Sequence, residues 1–255
     1  MSAKIAIPRL TIEGELGHGA NSIVYRATLA GQACALKVPR HRGAWTRWVY
    51  REAVALARVH DAALPAVLEV GEADGLPFLA MELVEGVTLA ERLRRGPLAA
   101  SDALDLAATI LRALDKVHDA GLVHRDVKPK NLIVGDGGRV RLVDFGFATP
   151  IERGVEGSLD LAGTPAYAAP EQLRAPARID GRADLYALGV VLYECLAGRL
   201  PDRAERLELG SSDLGEDMIV VLGGLLAGPP EDRYPSARAV LADIDRVRAR
   251  RAPLG

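Results

Sequence analysis

The stretch His124-Arg125-Asp126-Val127-Lys128-Pro129-Lys130-Asn131, followed by Asp144-Phe145-Gly146, constrains this chain more than any other. An acid, Asp126, precedes an amide, Asn131, by five residues, and a second acid, Asp144, follows the first by eighteen. Between them, residues 132–134 and 140–143 read as short strands around the turn Asp136-Gly137-Gly138. Phosphoryl transfer from a nucleotide needs such parts. A carboxylate must orient a hydroxyl, a cation must stabilise the transferring group, and a carboxylate with an amide oxygen must hold Mg²⁺ against the phosphates. The bland alternative is a polar turn followed by an ordinary Asp-x-Gly turn; further parts along the chain weigh against it.

The first 80 residues read as short strands with one helix. Residues 10–16, 23–28 and 33–38 carry short or alternating apolar runs, broken by Gly14, Gly17, Gly19 and Gly31. Residues 44–60 are helical, with Trp48, Ala55, Leu56 and Val59 able to share a face. Residues 66–70 and 77–83 return to strand character, with Asp74-Gly75 as a hairpin signal. After Glu85-Gly86 the character changes. Ser101 can cap a long helix to about Ala120, with Gly121 as its stop. From Ala183 the pattern is helical between Gly/Pro-rich turns, and Ser236 caps the last helix. A small strand-rich half joined to a larger helical half suits a nucleotide site between them.

Leu16-Gly17-His18-Gly19 lies in a turn between two strands, where glycines let backbone approach phosphates. Alone it is weak, and a plain hairpin turn would serve as well. Lys37 follows in the β-like run Cys34-Ala35-Leu36-Lys37, which adds weight. Positive charge is carried by 27 Arg and only 5 Lys, yet Lys37 and Lys128 both fall inside motifs. An ammonium is a compact point charge and a guanidinium a planar fork, so the choice has physical content.

Together these segments, with Gly163-Thr164-Pro165-Ala166-Tyr167-Ala168-Ala169-Pro170-Glu171, resemble a protein kinase catalytic domain of the bacterial, eukaryotic-like Ser/Thr type. The resemblance runs from about residue 10 to 247. It implies an α+β, bilobal fold in a single domain over 1–255: a small β-rich N-lobe with one main helix (about 1–80), a hinge (about 81–86) and a larger, mostly helical C-lobe (about 87–255). It implies ATP and Mg²⁺, and protein Ser or Thr hydroxyls as acceptors, with the chain itself among them. Leu16, Gly17 and Gly19 would form a phosphate lid. Val24 and Ala35 would line the adenine pocket, and Met81, Glu82 and Leu83 would be the hinge. Lys37 would hold the α/β-phosphates with Glu52 as its partner. Asp126 would be the catalytic base, Lys128 would stabilise the γ-phosphate, and Asn131 and Asp144 would coordinate Mg²⁺. Glu85 would touch the ribose, and His124 and Phe145 would serve in packing.

The same resemblance places Thr164 near Asp126 and Lys128, pairs Glu171 with Arg233, and makes Asp184 a brace beneath the catalytic loop. Arg125 is typical of kinases whose activation segment is ordered by phosphate; Ser158, or else Thr149, would carry it, with Arg153 assisting. Glu156 and Asp160 could already supply that charge. Two departures stand out. Ser22 replaces the third glycine of the lid, and the polar residues 202–217 leave little room for a further helix. The rival readings are an ATP-binding pseudokinase acting as an interaction module, and a kinase for small molecules such as aminoglycosides.

Composition narrows the setting. Net charge is −2, without the broad basic footprint of a nucleic-acid binder. No secretory signal opens the chain, and its longest apolar runs, residues 185–197 and 218–227, fall short of the roughly 20 residues of a membrane span. Cys34 and Cys195 sit in apolar segments and read as buried thiols in a reducing, cytoplasmic compartment.

Overall fold

A computed structural model describes residues 7, 9–19, 21–41, 43, 46–151, 164–174, 179–202, 207–209 and 215–255. The N-terminal part is an antiparallel sheet of β1 (Leu10–His18), β2 (Ser22–Leu29), β3 (Gln32–Pro39), β4 (Val67–Ala73) and β5 (Leu76–Glu82), in the order β1-β2-β3-β5-β4. Alternation along β3 explains its two roles. Cys34, Leu36 and Val38 enter one apolar cluster with Phe78 and Ala80, whereas Ala35 faces the main core with Leu79 and Met81. Asp74 and Gly75 both have positive φ, 52° and 71°, as a tight hairpin turn between β4 and β5 requires. Gly71 on β4 is needed for space: a Cβ there would lie 2.6 Å from the Phe78 ring.

Helix α1 (Thr46–Ala57) packs on this sheet through Trp48, Val49, Ala53, Ala55 and Leu56, and buries Glu52 among them. The sequence places this helix over 44–60; its described part ends at Ala57, and Val59 is buried just beyond it.

The C-terminal part is built on α3 (Ala100–Asp119), whose buried stripe includes Leu104, Ala108, Leu111 and Val117. Ser101 is not its cap. The helix starts two residues earlier than that cap implies, and Ala99 occupies the cap position without a side-chain bond. Gly121, at φ 72°, follows the helix end as expected. Ahead of α3, β6 (Val87–Thr88) leads into α2 (Leu89–Leu93) through a capping box between Thr88 and Glu91. Sequence patterning gave no sign of these short pieces. Beyond α3 come β7 (Leu122–Val123), β8 (Leu132–Val134), β9 (Val140–Leu142), β10 (Thr149–Pro150), α4 (Pro170–Arg174), α5 (Arg182–Ala197), α6 (Gly215–Leu226) and α7 (Ala237–Arg248). Ser236 does cap α7, accepting the Ala239 N–H at 3.3 Å.

Helix α5 is apolar nearly all round and correspondingly buried. It packs on α3 and α6, and α7 packs on α3. Cys34 and Cys195 are both free, buried thiols. Among the described residues no helix is long and apolar enough to cross a membrane. Of residues 202–217, Leu207–209 lie outside any helix and α6 begins at Gly215; residues 203–206 and 210–214 lie outside the described residues.

Candidate active site

The register of β3 carries Lys37 onto the same face as Ala35, opposite Val24 on β2 and Leu79 on β5. Its Nζ lies 2.5 Å from Glu52 Oε2 on α1 and 2.6 Å from Asp144 Oδ1, which follows β9. The lysine side chain is 7% exposed and Glu52 is fully buried, while Asp144 keeps 38% of its side chain open. Glu52 Oε1 also accepts the Phe145 N–H at 3.1 Å. Three separate elements are thereby tied together. Burial opposes charge on each group, but Asp144 and Glu52 outweigh it for Lys37, whose pKa rises. Burial likewise pushes Asp144 up, but Lys37 pulls it down to about 2. For Glu52, burial prevails over Lys37 and the pKa is raised.

The hairpin β8–β9 brings Asn131 and Asp144 to the same end. Leu132 pairs with Leu142, and the Val143 N–H donates to the Asn131 carbonyl at 2.9 Å. Asp144 itself has φ 68°, a left-handed conformation costly for a non-glycine residue. Asp126 sits just before the hairpin, its side chain almost wholly buried. Its Oδ2 accepts Lys128 Nζ at 2.7 Å and Asn131 Nδ2 at 2.9 Å. Its Oδ1 is buried with no hydrogen-bond partner among the described residues. A bare, buried acceptor is expensive, so this oxygen is a natural place for a donor to arrive. Burial raises the Asp126 pKa against the pull of Lys128.

Asp184, at the start of α5, holds this loop from beneath. It accepts the N–H groups of His124 and Arg125 at 2.8 and 2.7 Å, and His118 Nε2 at 2.9 Å. Arg125 has φ 68°, a strained conformation that these bonds help to hold. His124 and Phe145 are buried and meet edge-to-face at 4.5 Å, in the packing role expected of them. Arg233 clasps Glu171 through both guanidinium ends, at 2.7 and 2.8 Å, and stacks 4.8 Å over Tyr186.

Two participants escaped the sequence. Gln172 in α4 donates to the Arg125 carbonyl at 3.0 Å and accepts the Ala169 N–H at 3.1 Å, joining the Ala-Pro-Glu segment to the loop that carries Asp126. His118 reaches Asp184 from the far end of α3. Neither belongs to a local pattern; only the spacing Pro170-Glu171-Gln172 hinted at the first.

Gly17 and Gly19 lie outside the positive-φ region, and a Cβ at either would meet nothing within 4 Å. What they leave is open space above the strand turn, beside Leu16, which is exposed. The Glu85 carboxylate pairs with Arg26 of β2 and stays largely exposed. The Glu82 side chain is bound by Arg141 of β9. The Thr164 hydroxyl makes no hydrogen bond to Asp126 or Lys128; the Thr164 carbonyl opens a turn by accepting Tyr167 and Ala168 N–H groups. Ser22 opens β2, its carbonyl accepting the Gly19 N–H at 2.9 Å. Thr149 lies in β10 opposite Val123. Ser158, Arg153, Glu156 and Asp160 lie outside the described residues.

The donor set suits a hard cation. Asn131 spends its Nδ2 on Asp126, which leaves the amide oxygen, and Asp144 contributes a part-exposed carboxylate. One carboxylate and one amide oxygen match Mg²⁺ completed by phosphate oxygens and water.

Residues 10–233 match the family described as protein kinase domain. Serine/threonine-protein kinase PknL of Mycobacterium tuberculosis is 35% identical, over 94% of this chain and 65% of its own. Serine/threonine-protein kinase PknB of Mycolicibacterium smegmatis is 34% identical, over 80% of this chain and 36% of its own. A probable serine/threonine-protein kinase of Clostridium acetobutylicum is 30% identical, over 94% and 40%. The chain thus spans about two thirds of the length of PknL, at 65%, and less of the other two.

Proposed function

This chain belongs to the protein kinase domain family, and on that premise we propose that it transfers the γ-phosphoryl group of ATP to Ser or Thr hydroxyls of proteins, itself included. The observation that carries the proposal is Asp126, whose Oδ2 is fixed by Lys128 and Asn131 while Oδ1 stands bare in a buried site. An acceptor hydroxyl donates its hydrogen bond to that Oδ1, is oriented by it, and passes it the proton as its oxygen bonds the γ-phosphorus and the bond from that phosphorus to the β–γ bridging oxygen breaks, releasing ADP. Lys128 lies beside the base, where its charge offsets that of the γ-phosphoryl group. Lys37, held by Glu52, faces the α/β-phosphates, and Val24, Ala35 and the hinge backbone receive the adenine. Leu16, Gly17 and Gly19 cover the phosphates.

Asn131 and Asp144 would hold Mg²⁺, which supplies positive charge against the phosphate oxygens. The lobes divide as about 1–80, 81–86 and 87–255. The two buried free thiols favour a reducing, cytoplasmic setting.

The test is label transfer from ATP to a generic basic protein by wild type and by Asp126→Asn. Turnover is expected to fall by roughly 10²–10⁴-fold, the range of general-base assistance. Wild-type turnover in the variant refutes the role of Asp126. Labelling of metabolites but of no protein favours a small-molecule kinase, and nucleotide binding without transfer favours a pseudokinase.

A further inference from the structure

Arg141 lies on β9, three residues ahead of Asp144, with its backbone opposite Ile133. Its neighbours Val140 and Leu142 point into the core. Its own side chain turns the other way and spans three segments. Nη1 and Nη2 each lie 2.6 Å from one oxygen of Glu82, at the end of β5. Nη2 also donates to the Leu64 carbonyl at 2.5 Å, in the loop between α1 and β4. Glu82 Oε2 in turn accepts the Ala66 N–H of that loop at 3.2 Å. Two backbone bonds reinforce the junction: Leu142 N–H to the Ala63 carbonyl and Glu82 N–H to the Ala66 carbonyl, both 2.8 Å.

These three segments each lead to a part of the nucleotide site. The α1–β4 loop follows the helix that carries Glu52, Glu82 belongs to the hinge, and β9 runs into Asp144. A planar guanidinium with several donors can join them at once; an ammonium cannot match that geometry. Resting on the kinase reading above, we infer that Arg141 is a positioning residue: its latch to Glu82 and Leu64 fixes the pivot between the lobes at the spacing where Lys37, Glu52 and Asp144 converge. Without the latch the chain spends less time in the nucleotide-binding arrangement. Apparent affinity then falls by the lost fraction, while ATP at saturation restores the arrangement and with it the chemical step.

The experiment measures ADP binding by calorimetry and steady-state transfer to a generic basic protein for wild type, Arg141→Met, Glu82→Gln and the double variant. Arg141→Met is expected to raise KM for ATP and Kd for ADP about tenfold, with kcat held within about twofold. The double variant is expected to be no worse than Arg141→Met, because both remove one junction. An unchanged KM, a change confined to kcat, or effects that multiply in the double variant would overturn the inference. A merely structural role would lower the active fraction and the melting temperature without moving KM. Should Arg141→Met not fold, Arg141→Lys decides: it keeps the charge but not the fork, and a wild-type KM in it would equally overturn the latch. Wild-type protein that transfers no label removes the kinase reading and this inference with it; normal transfer with unaltered variants removes the latch alone.

Discussion

Lys37 is the residue on which the site balances, because it neutralises two acids from different parts of the chain. Removing it by Lys37→Met leaves Glu52 buried beside Asp144 with its main counter-charge gone. Breaking a buried pair in this way costs about 3–5 kcal/mol. The sign of the pH dependence follows from burial. Glu52 is already pushed upward, and losing the lysine raises it further. An acid whose folded pKa lies above its unfolded value, near 4.3, gives stability that is lost as pH rises through that interval. Urea unfolding of Lys37→Met should therefore show a larger deficit against wild type at pH 8 than at pH 5. An equal deficit at both values would mean that Glu52 is relieved by another partner. Asp126 follows a different logic. Its cost is a bare oxygen rather than an unpaired charge, which is why its replacement is expected to affect turnover.

At the level of elements, the helical part depends on close approach more than on capping. Helix α5 meets α6 at Gly189, where a Cβ would lie 2.8 Å from Leu225 Cβ and 3.1 Å from Leu226 Cδ2. The leucine side-chain end can swing away; the Leu225 Cβ is fixed to its backbone, so α6 must shift. Gly189→Ala should cost about 1–3 kcal/mol, the range for overpacking. Gly223 on α6 is the control, since a Cβ there meets nothing within 4 Å. Gly223→Ala should be neutral or stabilising by about 0.5–1 kcal/mol through helix propensity. Urea midpoints for the two variants check the contrast, and a similar loss in both would show that helix packing is not the cause. The same scale explains the misplaced Ser101 cap. A capping residue signals a helix start only when the chain turns there, and tertiary packing of the long α3 stripe carries the helix back to Ala100.

For the whole molecule, the order of strands and helices was legible because apolar periodicity and glycine turns are local signals, as at Asp74-Gly75 and residues 132–134. The principal site residues were legible for another reason: their spacing matches a known constellation, and the hairpin β8–β9 then brings Asn131 and Asp144 to one end. His118, Gln172 and the Arg141 junction were not legible. Their contacts join residues 47 to 77 apart, and no periodicity announces them. The Arg26 and Arg141 side chains also pair with Glu85 and Glu82, contacts that no local pattern announced. The ion pairs that Lys37 of β3 makes with Glu52 of α1 and Asp144 beyond β9 draw three parts of the chain to one point. The most direct measurement is the chemical identity of the product when the wild-type chain is given labelled ATP, Mg²⁺ and a generic basic protein. Label on serine and threonine of the protein, lost in Asp126→Asn, is the expected result; bound ATP with no phosphorylated protein residue would contradict the account.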